Sequence, residues 1–481
     1  MIFTGRKPAM ADEWIKASSV VPSERQLNWQ ETEFYAFCHF GMNTFTDKEW
    51  GDGTDSPELF NPTDFNADQW VEAIKNGGMK GLILTCKHHD GFCLWPSRYT
   101  DYSVKNSPFM NGQGDIVREV SSACKKAGIK FGVYLSPWDR HEKTYGTGKD
   151  YNTYFKNQLE ELLTNYGELF CVWFDGACGE GKNGKKQEYD WQGYYSLIRR
   201  LQPNAVISIS GPDVRWCGNE AGICRKSEWS VVPSEFCSNL YTAEHSQKTD
   251  GEAPKKKEMV LDLGSRKAIK GKDDFIWYPA EVDVSIRPGW FYHESEDFKL
   301  LEIKKLRTIY YNSVGANANL LLNIPPDRTG RINNIDCLEL DSFRRSIEKD
   351  FYYDRCENAH AFATSEAGSD CPAKNILEKG GSFWQCDSDD ETPEVIINLG
   401  GEKTFDKVVL MENIATGQQI EQFTLFYDKG GKWKRLFKST VIGYKRICLF
   451  KAVKSSRIKI RIDSCRNKAT LKFAGVYMSK E

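Results

Sequence analysis

The sequence predicts a (β/α)8-like barrel followed by an antiparallel β-sandwich. Three observations carry this. Apolar runs of strand length recur through the first two thirds, several of them separated by stretches of helical period, as a parallel sheet requires. They number roughly eight, the count of a closed barrel. Beyond about Ala359 the runs become short and alternating, with Gly-rich turns such as Asp428 to Gly431, the pattern of antiparallel strands covered on one face.

The strand-like runs begin near Phe34 (FYAFCHF), Lys80 (KGLILTC), Lys130 (KFGVYLS), Glu168 (ELFCVWF), Ala205 (AVISIS), Glu228 (EWSVV), Phe275 (FIWYPAEVDVSI) and Asn319 (NLLLNI). Two helices between them are well marked. Trp70, Val71 and Ile74 precede Gly77, and Ile116, Val120, Cys124 and Ala127 precede Gly128, each an apolar stripe with a glycine stop. The stretch from Asn239 to Lys272, with its KKKEM run, is polar and reads as a solvated excursion. A helix, DCLELDSFRRSIEKDF, follows Ile335. The expected division is 1–345 for the barrel and 346–481 for the end of that helix and the sandwich. No Pro or Ser linker separates the two, so the sandwich is expected to pack on the barrel.

Composition bounds the partners. The 481 residues carry 65 Lys plus Arg against 67 Asp plus Glu, a formal charge of −2, with none of the basic footprint that nucleic acid or an anionic membrane needs. A hydrophobic content of 40% is enough for sizeable cores, and no run approaches a membrane span. Among the 15 cysteines, Cys38, Cys86 and Cys171 fall inside apolar strands and read as reduced, buried small hydrophobes. Met1 to Trp14 lacks the apolar core of a secretory signal. The expectation is a soluble chain, periplasmic or extracellular where a leader has been removed and otherwise cytoplasmic.

Barrel chemistry gathers at the carboxyl ends of the strands. Those ends supply His39, then Lys87, His88, His89 and Asp90, then Ser136, Trp138 and Asp139, then Asp175, where the run LFCVWF stops at an acid and two small residues. For Asp175 alone, capping of a following turn competes with catalysis. Three of the chain's seven histidines joined by an acid favour a site. One reading of His39, His88, His89 and Asp175 is a metal centre, against which stand the absence of metal-helix spacings and the opposite faces that adjacent strand residues present. The other is recognition of a small polyhydroxylated substrate by imidazoles, indole N–H groups and carboxylates. Trp50, Trp95, Tyr134, Trp138, Trp173 and Trp290 suit the apolar face of a sugar, with core packing preferred for Trp173.

The runs FYAFCHFGMNTFTDKEWGDG, LILTCKHHDGFCLWPSRYTDYSV, KFGVYLSPWD and VWFDGA resemble glycoside hydrolase family 29, the retaining α-L-fucosidases, over about Glu24 to Ile335. The resemblance implies that Asp175 is the nucleophile. It implies that His39, His88, His89, Glu49, Trp50 and Tyr134 contact the sugar. GPDVRWCGNEAG resembles the branch that prefers α-1,3 and α-1,4 linkages, which makes Glu220 the acid/base, with Asp213, Glu228 and Glu235 as rivals. Arg215 is expected to orient the acid or contact the sugar, with a structural ion pair as the alternative. Trp290 is expected in the apolar wall that meets the fucose methyl group. No cofactor or metal is expected, and the partners are fucosylated glycans. Two classes stay open: a fucose-binding protein without turnover, and a metal-dependent hydrolase.

The C-terminal runs NILEKGGSFWQ, EVIINLG, FDKVVLMENIATGQQIEQFTLF, IGYKRI and SSRIKIRI resemble the discoidin-like sandwich, also used as carbohydrate-binding family 32. Its role is open between sugar binding, structural support and a wall of the active site. Some relatives hold calcium through loop acids. Asp387, Asp389 and Asp390 are the candidates here, with a solvated loop as the alternative.

Overall fold

The computed structural model describes residues 12–246, 261–378 and 380–480. Five strands arise where the first five apolar runs lie: β1 (Phe34–Cys38), β2 (Gly81–Lys87), β3 (Lys130–Leu135), β4 (Cys171–Phe174) and β5 (Val206–Ile209). With β6 (Arg215–Trp216), β7 (Ala280–Ser285) and β8 (Ala318–Asn323) they form one sheet in the order β5-β4-β3-β2-β1-β8-β7-β6. Every ladder in it is parallel. A parallel bridge between Ser208 and Val214, with the Ile209 N–H donating to the Val214 carbonyl at 3.0 Å, brings β5 against the approach to β6 and nearly closes the barrel.

The sixth and seventh strands correct the sequence reading. Val231–Pro233, from the run at Glu228, pairs antiparallel with Phe275–Trp277 in a separate two-stranded sheet. The long run from Phe275 is therefore two elements. Pro279, which has no N–H to give a ladder, separates them, and its carbonyl accepts the Arg215 N–H at 3.0 Å. The true sixth strand is two residues long and follows β5 without a helix, so it has no period to detect.

Alternation along the strands separates two cores. Tyr35, Phe37, Ile83, Tyr134, Cys171, Trp173 and Val206 fill the barrel interior with Trp29 from the N-terminal side. Their neighbours Phe34, Ala36, Leu82, Leu84, Val133, Val172 and Ile207 face the surrounding helices. The helices Ala67–Asn76 and Ile116–Ala127 begin at Asn66 and Asp115, whose side chains accept the N–H groups of Gln69 and Arg118. Gly128 ends the second with φ 71, a left-handed cap, whereas Gly77 stays right-handed and Gly78 takes the positive φ.

The helix Asn334–Asp350 leads into the antiparallel domain. Its expected short strands are fewer and longer. Glu394–Met411 and Arg446–Cys465 each span two of the runs, and register breaks after Asn398 and Phe405 bend the first. Val395, Ile397, Phe405, Val408, Phe423, Ile458 and Ile460 meet in one core beneath.

This domain packs on the barrel, as expected. Arg266 pairs with Glu421 at 2.8 Å, Lys445 with Glu33, and the Ser230 N–H donates to Gln418 at 2.7 Å. Just before β8 the contact becomes backbone to backbone. Ala316 bridges Arg446, the Asn317 N–H donates to the Lys445 carbonyl at 3.0 Å, and the Ile447 N–H to the Gly315 carbonyl at 2.9 Å. Asn317 has φ 67, and a Cβ on Gly443 would lie 2.2 Å from its side chain, so this position needs glycine.

Candidate active site

The parallel strands all end on one side of the barrel, and there a cavity of about 620 Å³ opens. Phe37 and Trp173, the top of the interior core, form its floor.

His39 follows β1. Its Nδ1 lies 2.9 Å from Asn323 Oδ1, and because the Asn323 amide nitrogen donates to Ser285 and to the Trp290 carbonyl, the imidazole must donate at Nδ1. Its Nε2 therefore carries a lone pair. Burial pushes the pKa down to about 3, so the ring is neutral.

The two histidines after β2 reach the cavity together because the strand has ended. A register shift between Thr85 and Lys87 turns Lys87 outward, where its ammonium is buried against Asp139 at 2.8 Å and Gln158 at 3.0 Å. The chain then leaves the sheet, and the rings of His88 and His89 lie 4.1 Å apart, both facing the cavity. His89 Nδ1 is 2.7 Å from Ser136 Oγ, whose single proton goes to the Trp138 carbonyl, so His89 also donates at Nδ1 and offers an acceptor at Nε2. Burial lowers its pKa to about 4. His88 is the opposite tautomer. Its Nδ1 meets the donating amide of Asn43 at 3.4 Å, and the Asn43 oxygen is held by the Gly51 N–H, which leaves Nε2–H as a donor. Burial also holds His88 well below the usual imidazole range.

Asp175 follows β4 with a quarter of its side chain exposed to the cavity. Tyr134 donates its hydroxyl to Oδ2 at 3.0 Å, the Ala177 N–H donates to Oδ1 at 2.8 Å, and His89 Nε2 stands 3.7 Å away. A Cβ on Gly176 would sit 2.0 Å from Ser246 Oγ, so a larger residue there would push the Ser246 hydroxyl aside. Glu220 lies beyond β6, and its Oε2 accepts the Trp290 indole N–H at 3.1 Å. Asp175 and Glu220 thus follow the fourth and sixth strands, and both line the cavity. Trp50 stands edge-on to His89 and completes one side. Glu49 lines it too, but its oxygens accept the Trp290 and Phe291 N–H groups at 2.9 and 3.0 Å and meet His293 at 2.7 Å. Its main work is to build the Trp290 loop. Hydrogen bonding to Glu49, then Asp47, lifts His293 to about 9 and keeps it charged.

A family model for alpha-L-fucosidase matches residues 4–344, and one for the F5/8 type C domain matches 360–473. The chain belongs to the α-L-fucosidase family. Alpha-L-fucosidase 1 of Arabidopsis thaliana is 42% identical, over 96% of this chain and 88% of its own. A crystal structure of a putative alpha-L-fucosidase from Bacteroides ovatus is 43% identical, with a TM-score of 0.84 over 98% of this chain and 77% of that one. A GH29 fucosidase of Ruminococcus gnavus in complex with fucose is 32% identical, with a TM-score of 0.83 over 99% of this chain and 98% of that one.

In this fucosidase the rival acids are engaged elsewhere. Asp213 is buried between Arg199 and Arg25 and accepts the Ile207 N–H, Glu228 is fully buried on Arg215, and Glu235 pairs with Lys272 at the surface. Arg215 is accordingly the structural alternative. Its guanidinium is held by Glu228 and by the Tyr278 and Trp229 carbonyls, and it does not line the cavity. Trp95 and Trp138 also lie outside the lining, their indoles bound to Glu161 and to the Glu180 carbonyl, whereas Trp173, expected in the core, forms floor as well. Asp139 is the partner of buried Lys87, and Asp90 is buried, with a pKa raised to about 7 by burial. The polar excursion is more than solvated: Asn239–His245 is helical and Ser246 lines the cavity, while the KKKEM run lies outside the described residues. In the C-terminal loop Asp387 holds the Asp389 N–H, and Asp390 accepts the Thr364 and Ser365 hydroxyls.

The sequence reading missed Trp216, Ile209, Ser246 and Asp283 in the lining. Only Asp283 carried a signal. In AEVDVS the two acids share one face of a buried strand, which needs a polar purpose.

Proposed function

We propose that this fucosidase is a retaining exo-enzyme for α-1,3- and α-1,4-linked fucose, with Asp175 as nucleophile and Glu220 as acid/base. The observation that supports it is that Glu220, alone among the four candidate acids, shares the cavity with Asp175. The lone pairs of His39 and His89 and the N–H of His88 offer mixed donors and acceptors to a polyhydroxylated ring, whereas Tyr134, fully buried and outside the lining, serves Asp175 rather than the sugar. Trp290 is the apolar wall for the methyl group. The cavity ends blind on Phe37 and Trp173, which suits a terminal sugar.

In the first step Asp175 Oδ attacks the anomeric carbon, the glycosidic C–O bond breaks, and Glu220 gives its proton to the departing oxygen. In the second, Glu220 takes a proton from water, the water oxygen attacks the same carbon, and the ester bond to Asp175 breaks. Two inversions leave the α-configuration. The histidines, neutral through burial, bind hydroxyls without adding charge that would compete with the oxocarbenium-like transition state.

A panel of α-1,2, α-1,3, α-1,4 and α-1,6 fucosylated oligosaccharides, with the first-formed anomer followed by NMR, tests the proposal. Hydrolysis of the α-1,3 and α-1,4 members with α-fucose appearing first is expected. β-Fucose first would refute retention, and a preference for α-1,2 or α-1,6 would refute the linkage.

A further inference from the structure

Among the described residues that line the cavity, two carboxyls take no part in this reaction: Glu49, which holds the Trp290 loop, and Asp283. Asp283 stands on β7, 4% exposed, in the wall it shares with Glu220. Ala280, Val282 and Val284 on the same strand face the helix layer, so Glu281 and Asp283 face inward. Glu281 is consumed beneath the floor, where it accepts the Trp173 indole N–H at 2.6 Å and the Tyr35 hydroxyl. Asp283 Oδ1 accepts the indole N–H of Trp216 at 2.8 Å. Trp216 is the last residue of β6, from which the chain runs on to Glu220. One oxygen of Asp283 thus fixes the indole at the root of the segment that carries the acid/base, and the residue itself lines the cavity.

The surroundings decide its charge. Asp175 comes from β4, Glu220 from beyond β6, Glu281 from below on β7 and Glu49 from the loop after β1. The lining histidines are neutral, Arg215 is held by Glu228, and His293 is held by Glu49 and Asp47. Burial, and then the charge of Glu220, hold Asp283 well above the ordinary carboxyl range. Among the described residues, no unpaired cation is left there to balance a further negative charge.

We propose that Asp283 is a third working carboxyl of the active site, a positioning residue that acts uncharged, anchoring Trp216 through one oxygen and presenting an O–H to the cavity beside Glu220. The second half rests on the reading of Glu220 as acid/base: when Glu220 gives up its proton, the new carboxylate meets a neutral donor rather than another anion.

The test uses the full chain and an aryl α-L-fucoside, with kcat/KM followed from pH 4 to 9 for Asp283→Ala, Asp283→Asn and Trp216→Phe, and thermal melting for each. Asp283→Ala is expected to lose about 100-fold at the optimum, the scale of one deleted donor in a closed site. Asp283→Asn keeps an acceptor for Trp216 and an N–H for the cavity and should recover at least about tenfold of that loss. Removing the neutral donor beside Glu220 should shift the alkaline limb to higher pH in Asp283→Ala, whereas Asp283→Asn, which keeps a donor, should leave it where the native enzyme has it. A merely structural Asp283 would leave that limb in place in both variants, and an unmoved limb in Asp283→Ala, or a displaced one in Asp283→Asn, overturns the proposal. So does an Asn variant as poor as the Ala variant, since the charge would then be what matters. If Asp283→Ala does not fold, the Asn profile and a loss of about tenfold in Trp216→Phe decide. Failure of the Glu220 reading shows separately, as a Glu220→Ala variant with no dependence on the leaving group.

Discussion

Removing the carboxylate of Asp175 should separate chemistry from folding. In Asp175→Ala the Tyr134 hydroxyl and the Ala177 N–H, now bonded at 3.0 and 2.8 Å, lose their acceptor. Tyr134 is wholly buried and stacked on Trp173 and His88, so it cannot swing to water. An unsatisfied buried hydroxyl costs about 1–3 kcal/mol, a fall of a few degrees in melting temperature at about 2–4 °C per kcal/mol. The catalytic loss is of another order, about 10⁴-fold or more, because the covalent route has gone. Asp175→Asn restores an acceptor for the Ala177 N–H, and its NH2 can donate to the Tyr134 hydroxyl oxygen, so it should melt within about 1 kcal/mol of the native enzyme while staying as inactive. The carboxylate-sized space left by alanine sits on the far side of the sugar from Glu220 in this mechanism, so azide should restore turnover and give the inverted β-fucosyl azide. The assays are release of phenol from an aryl fucoside, NMR of the product and thermal melting. Near-native turnover by Asp175→Asn, or an α-azide from the alanine variant, would refute the assignment.

Glu220→Ala should slow a fucosylated disaccharide by at least about 100-fold, and an aryl fucoside far less in the first step, with a burst of phenol as the ester on Asp175 accumulates; equal losses without a burst would leave Glu220 only a sugar contact. Replacing His39, His88 or His89 by Ala should cost about 2–4 kcal/mol each in kcat/KM. Those that keep native kinetics but unfold readily are structural. The folded pKa of His89, about 4 against 6.5 unfolded, means that the unfolded chain binds more protons between those values, so stability falls as pH drops from 6.5 toward 4. His89→Ala should flatten that acid limb of the denaturation midpoint, and an unchanged slope would show that the ring is not neutral in the fold. Arg215→Ala should lower stability by up to about 3 kcal/mol by removing the nearer cation from buried Glu228, which keeps the Arg225 N–H at 3.0 Å and its guanidinium at 3.8 Å, with KM for an aryl fucoside little changed; the reverse pattern would return Arg215 to the sugar.

The parts that could be read from sequence were those with a period or a motif. Five strands, β8 and the helices before Gly77 and Gly128 each repeat an apolar face often enough to be seen, and the strand-end rule led from them to His39, His88, His89 and Asp175. Arg215–Trp216 could not be read, because two residues have no period. Missing it hid Trp216 and Asp283. Val231–Pro233 was apolar for a different reason, since it packs in its own small sheet. The hydrogen bonding that spends Glu49 on the Trp290 loop and Arg215 on Glu228 joins residues 241 and 13 positions apart, and no local pattern encodes either partner. In the sandwich, bends at register breaks joined runs that looked separate.

The backbone seam ahead of β8 has a consequence for how the enzyme is made. β8 is the strand that pairs with β1 and so joins the two ends of the barrel, yet at its entrance the Gly315 carbonyl meets the Ile447 N–H and the Asn317 N–H meets the Lys445 carbonyl, partners more than a hundred residues later in synthesis. Until that segment emerges, the catalytic body is a nearly finished ring with bare polar groups at its last joint. The C-terminal domain is thus the clasp of the barrel as well as its neighbour, and a cut between the two would remove the clasp rather than release an independent enzyme.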